Sequence, residues 1–482
     1  MSVGAAGRAR AMGVAALALA ISAAPAAAAT DPFAAELAAA TAALDARQGK
    51  PEAIAPVAKL AWLEENLPPG ATEAALRRAA GEGSHPLVAA QAALLLAHRL
   101  EERGDDAGGR ALREPLHLLS KFWVVGPFGD GRGGHSEVFP PETDADAPAA
   151  GRTYKGKLGP VAWRRAENGV RDGALLVDAL VRPDAQATAY VAAFVNSPRD
   201  QVVAIRLGSP GPTKVWIGGA LVYTRDAVRT PAFDQDAAPA RLRKGWNRVL
   251  VKTTNTDGAW WLHVRFTDAA GHALDLGDGA LPDGAQVAPP IDAAKAKAKT
   301  PVVTTLEALL LARAQAARGD DAAEAWLDLG RSRAFAGAGD RDAREAAAAV
   351  ESSIAARPSV AAYRLLAAVA RDDDERRRAF EDALALSPAG DEARLGERAL
   401  LLARLGEVAR SQHRDAVALT RWREALAEDP GCWPASLALA EEEQAAGMPL
   451  VAAARVEALP ASVRAVPRVV RALAGLLDVA GR

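Results

Sequence analysis

The chain has 482 residues, 50% of them apolar, enough to bury a large core and to form roughly two to four domains. Its 60 acidic residues against 58 basic ones give a net charge of −2, which excludes the basic excess of a nucleic-acid-binding surface. A single cysteine, Cys432, excludes an internal disulfide, so packing alone must hold the chain together.

At the start, Arg8 and Arg10 precede a charge-free apolar run over residues 12–23, and Ala27-Ala28-Ala29 offers small residues for cleavage. Residues 1–29 are therefore expected to be a signal peptide cut after Ala29, which would make the mature chain periplasmic or secreted. An uncleaved anchor is the competing reading, but the run falls short of the roughly 20 residues a spanning helix needs. No Cys follows the run to carry a lipid, and Arg8-Ala9-Arg10 is not a twin-arginine pair.

Residues 30–120 have a helical period. Pro68-Pro69-Gly70 interrupts it, and helices are expected over 73–80 and 86–102, the second striped by Leu87, Leu94, Leu95 and Leu100 and opened by Pro86. Gly104-Asp105-Asp106-Ala107-Gly108-Gly109 ends that helix, so this region reads as antiparallel helical hairpins.

Composition changes over residues 121–275, which hold six of the ten Trp and three of the four Tyr. Val203, Ile205 and Leu207 alternate with Val202, Ala204 and Arg206; Leu262, Val264 and Phe266 alternate with Trp261, His263 and Arg265. Period-two runs between frequent turn signals predict an antiparallel β-sandwich. Gly218-Gly219 reads as a two-residue hairpin turn, and Gly245 as a positive-φ residue before a strand that starts at Trp246-Asn247. Residues 276–305 read as a linker, with Pro282-Asp283-Gly284, Pro289-Pro290 and a solvated Lys295–Lys299 run.

Residues 306–482 are helical and periodic. Leu402, Leu405, Gly406, Ala409, Ala418, Trp422, Ala425 and Pro430 match the spacing of the tetratricopeptide repeat, whose period is about 34 residues. Small Gly406 and Ala418 suit a close helix crossing, Leu405 and Trp422 fill the groove beside it, and Pro430 stops the second helix. A second copy starts at Trp326-Leu327-Asp328-Leu329-Gly330, with Pro358 four residues late. A third runs from Tyr363 and Leu366 to Phe380, Ala383 and Pro388, and a weaker helix pair follows from Trp433. A generic stack of helical hairpins is the alternative.

Four segments, Phe122-Trp123-Val124-Val125-Gly126-Pro127-Phe128, Phe139-Pro140-Pro141-Glu142, Tyr154-Lys155-Gly156-Lys157 and Val161-Ala162-Trp163-Arg164, resemble a module of exported bacterial proteins. In those proteins it precedes tetratricopeptide repeats or a transglutaminase-like domain. Leu207-Gly208-Ser209, Val215-Trp216-Ile217-Gly218-Gly219 and Lys244-Gly245-Trp246-Asn247 are similar to galactose-binding-like jelly rolls, such as the sugar-binding domain of family 2 glycoside hydrolases. This chain has Pro210 and Gly218 where that pattern usually has Asp and Asn, which removes polar side chains a ligand would meet.

Trp216, Tyr223, Trp246 and Trp260-Trp261 could form a stacking platform for a sugar ring, with Asn255, Asp257 and Arg265 as polar partners. The competing reading makes these aromatics core filling, although adjacent Trp260 and Trp261 on one strand must face opposite sides. Asp226, Asp234, Asp236 and Asp257 lack a complete calcium-loop pattern and read as a solvated loop. Gly131-Arg132-Gly133-Gly134 lacks the Lys of a phosphate loop. No His follows His413 to activate Cys432, which reads as a small buried residue, and the seven His show no metal-ligand spacing. No metal, cofactor or catalysis is expected. The leading expectation is a non-catalytic exported scaffold holding partner proteins in a helical-repeat groove. A carbohydrate-binding module on that scaffold is the alternative, and a remnant of a transglutaminase-like enzyme the third.

Overall fold

The computed structural model describes residues 31–129, 134–144, 148, 151–166, 168–279, 286–289, 301–336, 339–390 and 395–481. The expected signal peptide, the Arg132 turn and the Lys295–Lys299 run lie outside them. Among the described residues, no helix is long and apolar enough to cross a membrane.

Five helices come first: α1 (Pro32–Ala46), α2 (Ile54–Leu63), α3 (Glu73–Ala80), α4 (Pro86–Glu102) and α5 (Asp106–Arg113). The Asp31 carboxylate caps α1 by accepting from the Phe33 N–H at 3.1 Å, with Pro32 at the first helical position. Pro86 opens α4 as its sequence position predicts. The fully buried stripe of α4 is Leu87, Val88, Leu96 and Leu100; Leu94 and Leu95 are half-buried because the helix packs on both sides.

The middle of the chain is an antiparallel β-sandwich. One sheet runs β10 (Ala220–Arg225), β9 (Thr213–Ile217), β12 (Gly245–Asn255), β7 (Ala187–Ser197), β1 (Trp123–Phe128) and β4 (Arg164–Arg165). The other runs β11 (Asp236–Leu242), β8 (Gln201–Gly208), β13 (Trp261–Thr267), β6 (Ala174–Leu176) and β5 (Val170–Arg171). A small hairpin, β2 (Thr153–Lys155) and β3 (Pro160–Ala162), stands apart. Val203, Ile205, Leu207, Leu262, Val264 and Phe266 fill the space between the sheets, as alternation predicts. Gly218 and Gly219 turn β9 into β10 with φ of 54° and 82°, the left-handed pair a two-residue hairpin needs.

The expected linker begins inside the sandwich. Leu276 is buried, Asp278-Gly279 forms β14 against β7, and the Ala288 N–H donates to the Trp246 carbonyl. An apolar side chain and open backbone partners on β7 and β12 hold this stretch to the sheet, a contact its polar composition hides.

The α-helices that follow the sandwich are α6 (Leu306–Ala316), α7 (Asp320–Ala336), α8 (Asp340–Ala356), α9 (Val360–Ala368), α10 (Asp373–Ala385), α11 (Leu395–Ser411), α12 (Asp415–Glu428), α13 (Trp433–Ala445), α14 (Pro449–Glu457), α15 (Ala461–Arg464) and α16 (Pro467–Val479). They form tetratricopeptide-like hairpins. In α11–α12, a Cβ on Gly406 would sit 2.3 Å from Trp422 Nε1; in α7–α8, one on Gly330 would sit 2.8 Å from Val350 Cγ2. Leu329, Leu405, Ala418, Trp422 and Ala425 are buried, Trp326 packs half-buried against the same core, and Pro430 follows the end of α12.

The two helical regions are not separate layers. One continuous apolar cluster runs from Phe33 through Leu100 and on from Leu306 to Leu476. Within it the Phe33 and Trp433 rings lie 5.4 Å apart. The sandwich docks on this helical body through the outer face of its β13–β8 sheet, where Phe233 packs against Ala90, Ala93 and Leu116.

Candidate functional site

A cavity of about 1010 Å³ lies between α1–α2 and α7, α9, α10 and α11. The chain's first helices form one side of it and the repeat-type helices the other. Phe33 and Glu36, one helical turn apart on α1, face it together with Lys59 and Trp62 of α2. Phe335, Phe380, Leu400 and Leu401 supply its apolar wall.

Charge is uneven in the groove. Lys59, Arg99, Arg331, Arg364, Arg376 and Arg404 line it against Glu36, Glu65 and Glu407. Lys59 and Arg364 both bind the one carboxylate of Glu36, Arg364 at 2.6 Å. Burial pushes the Lys59 ammonium below its ordinary pKa, helped by nearby Arg364 and opposed by Glu36. Burial alone would raise Glu36, but Arg364 and Lys59 outweigh it and hold the carboxyl low. The result is a half-closed, partly aromatic cleft whose lining holds six cations and three carboxylates, with Arg99, Arg331, Arg376 and Arg404 also paired with Glu102, Asp328, Asp373 and Glu407.

Beside it sits a fully buried carboxylate, Asp328 of α7. Arg47 reaches it at 3.0 Å from the end of α1, Arg313 at 2.8 Å from α6 and Arg331 at 3.8 Å from α7 itself. Burial raises the Asp328 pKa while the three guanidinium groups oppose the shift. This cluster ties the first helices to the repeats.

The residues expected to hold a sugar do not share one surface. Trp216 lies on the outer face of the β9–β12–β7 sheet, beside Leu250 and Tyr190. Tyr223 packs at the margin of the sandwich core, its phenol held un-ionised by burial and by Asp236. Asn255 is buried and donates to the Asp184 and Gly258 carbonyls; exposed Asp257 accepts from the Gly258 N–H at 2.8 Å. Arg265 is buried in a two-armed pair with Asp234, so its guanidinium is taken. Trp261 opens onto a small cavity where β13 meets the helices. Trp260 is wholly buried and donates from its indole to Thr253 Oγ1, so the neighbouring Trp pair does divide between core and outer face.

Asp234 and Asp236 are not a solvated loop. Both are buried against arginines, Asp236 against Arg225 and Arg229, because the β10–β11 loop is pressed between the sheet and α4. Cys432 is buried, and desolvation pushes its thiol up to about 12, so almost no thiolate forms at neutral pH.

Sequence reasoning missed the groove's ion pairs and one further cluster. His98, Glu101 and Asp172 bring ligand atoms within 4.8 Å of one another, but Arg113 already pairs with both carboxylates. These groups come from distant segments, so no local spacing announces them.

No family model and no curated protein matches the chain. Among solved structures it is similar to a TPR-domain containing protein from Parabacteroides distasonis, at 10% identity and a TM-score of 0.25, covering 61% of this chain and 68% of that one.

Proposed function

We propose that this chain is a non-catalytic exported scaffold that binds acidic, apolar-faced segments of partner proteins in the cleft between α1–α2 and the repeat helices. The observation that carries the reading is the cleft's combination of aromatic walls with a lining of six cations, where its own Phe33 and Glu36 already make the contacts a partner would make. A partner helix presenting an apolar residue and a carboxylate one turn apart would repeat the chemistry α1 already uses there. Buried Cys432 supplies no nucleophile, in keeping with binding rather than turnover.

Export rests on the leader-like residues 1–29, and kinship of the sandwich with galactose-binding-like modules rests on the Trp216 and Trp246 turn motifs. N-terminal sequencing of the secreted chain should begin at Thr30; a retained leader would return the anchored reading.

The cleft is tested with labelled helical peptides of equal length and apolar content but acidic, neutral or basic charge, titrated against the full chain by fluorescence anisotropy. Acidic peptides should bind best, and Arg404→Glu should weaken them about tenfold, the effect of one lost ion pair at about 1.4 kcal/mol. Equal affinity for all three peptides would remove the basis of the proposal.

A further inference from the structure

A second cavity, of about 280 Å³, lies where three parts of the chain meet. Its floor is Trp261 and His263, alternate residues on the outer face of β13. One wall is residues 231–235, the loop that leads into β11; the other comes from the start of α6 and from α7 and α8.

Size is the first constraint. Ligand pockets for larger molecules run from about 300 to 1,000 Å³, so this one suits a single ring with a short substituent. The half-buried indole of Trp261, with the His263 ring 4.8 Å away, offers it an aromatic surface.

Charge is the second constraint. The lining carries Asp234, Glu307, Asp342 and Glu345 but a single guanidinium, Arg333. Asp234 is matched by Arg265, Glu307 by Arg333 at 3.0 Å, and Glu345 by Arg341 at 2.9 Å. Asp342 makes no close ion pair among the described residues, since its cationic neighbour Arg341 pairs with Glu345, and its carboxylate accepts a long 3.3 Å bond from the Gly339 N–H. The buried Nδ1 of His263 has no partner either. Desolvation pushes that imidazole down to about 4, so the ring is neutral at physiological pH and adds no positive charge.

Carboxylates therefore stand around an aromatic floor that carries no charge of its own. Such a site repels anions and favours a ligand that donates hydrogen bonds and carries positive charge against the indole. We propose that the junction cavity binds a small organic cation, an ammonium group on a compact apolar body, with the body against Trp261 and the ammonium toward Asp342. This proposal is independent of the cleft and its partners.

A charge series on one ring tests it by calorimetry on the full chain: benzylamine, benzyl alcohol and benzoate. Benzylamine should bind at least about tenfold tighter than benzyl alcohol, and benzoate should give no heat. Trp261→Ala should abolish binding while Trp261→Phe, which keeps a ring, retains most of it. Asp342→Asn should bring benzylamine down to the level of benzyl alcohol and leave benzyl alcohol unchanged. Circular dichroism confirms that each variant is folded. Benzyl alcohol or methyl glucoside binding as tightly as benzylamine would overturn the assignment, as would silence from all three probes.

Discussion

His263 shows how one side chain reports on the packing around it. Its ring is nine-tenths buried under the helical body, and desolvation outweighs the favourable charges of Asp234 and Asp172. The folded pKa of about 4 lies below the ordinary 6.5, so the unfolded chain binds the proton first as pH falls. Stability from this residue is complete above pH 6.5 and is lost as pH drops toward 4, by about 3 kcal/mol in full. Urea denaturation at pH 7 and pH 5 should show His263→Gln losing less stability over that interval than the parent chain; parallel losses would sink the assignment. The sequence marked His263 as an outward residue of an alternating strand, which it is. Alternation does not say what covers that face, because nothing near residue 263 signals that α4 and the 231–235 loop lie against it. The burial of Asp234, expected in a solvated loop, was hidden for the same reason.

The hairpin was far more legible, since its rules are local. Gly406 is glycine because Trp422 occupies the space where a side chain would begin. Gly406→Ala should therefore cost about 1–3 kcal/mol, the usual effect of overpacking. Gly475 also lies inside a helix, α16, but a Cβ there meets nothing within 4 Å. Gly475→Ala should stabilise by about 0.5–1 kcal/mol through helix propensity. Opposite signs in thermal unfolding would separate steric demand from propensity; two losses of equal size would refute the crossing geometry. Gly218-Gly219 was readable in the same way, because a two-residue turn states its backbone demand in the sequence itself. The start of the supposed linker was not, since Leu276 is held by a sheet formed much earlier in the chain.

At the scale of the whole molecule, the order of helical, β and helical segments was evident from composition and period. Their union was not. Arg47 from the first helical region meets Asp328 alongside Arg313 and Arg331 of the second, and no pattern within one segment predicts the Arg47 contact. Asp328→Ala would leave these guanidinium groups crowded without their shared anion and should destabilise the chain on the order of 3 kcal/mol. Chemical denaturation measures the loss, and limited proteolysis locates it: cleavage should begin near residues 47–52, where the first helices detach. A change below about 0.5 kcal/mol would show that the cluster does not hold the two regions together.

The ring of Phe33 against that of Trp433 sets a condition on how the chain is made. Synthesis delivers α1 to α4 with their apolar faces complete, yet the helices that cover those faces emerge only after the entire sandwich has been added. At about 5–20 residues per second, that wait is on the order of tens of seconds. Throughout it, the earliest part of the molecule is its stickiest, and its closing contacts span nearly the full chain, the topology that slows folding most. A holding chaperone is thus most needed at the beginning of this protein's life, and the same surface becomes inaccessible once α13 arrives.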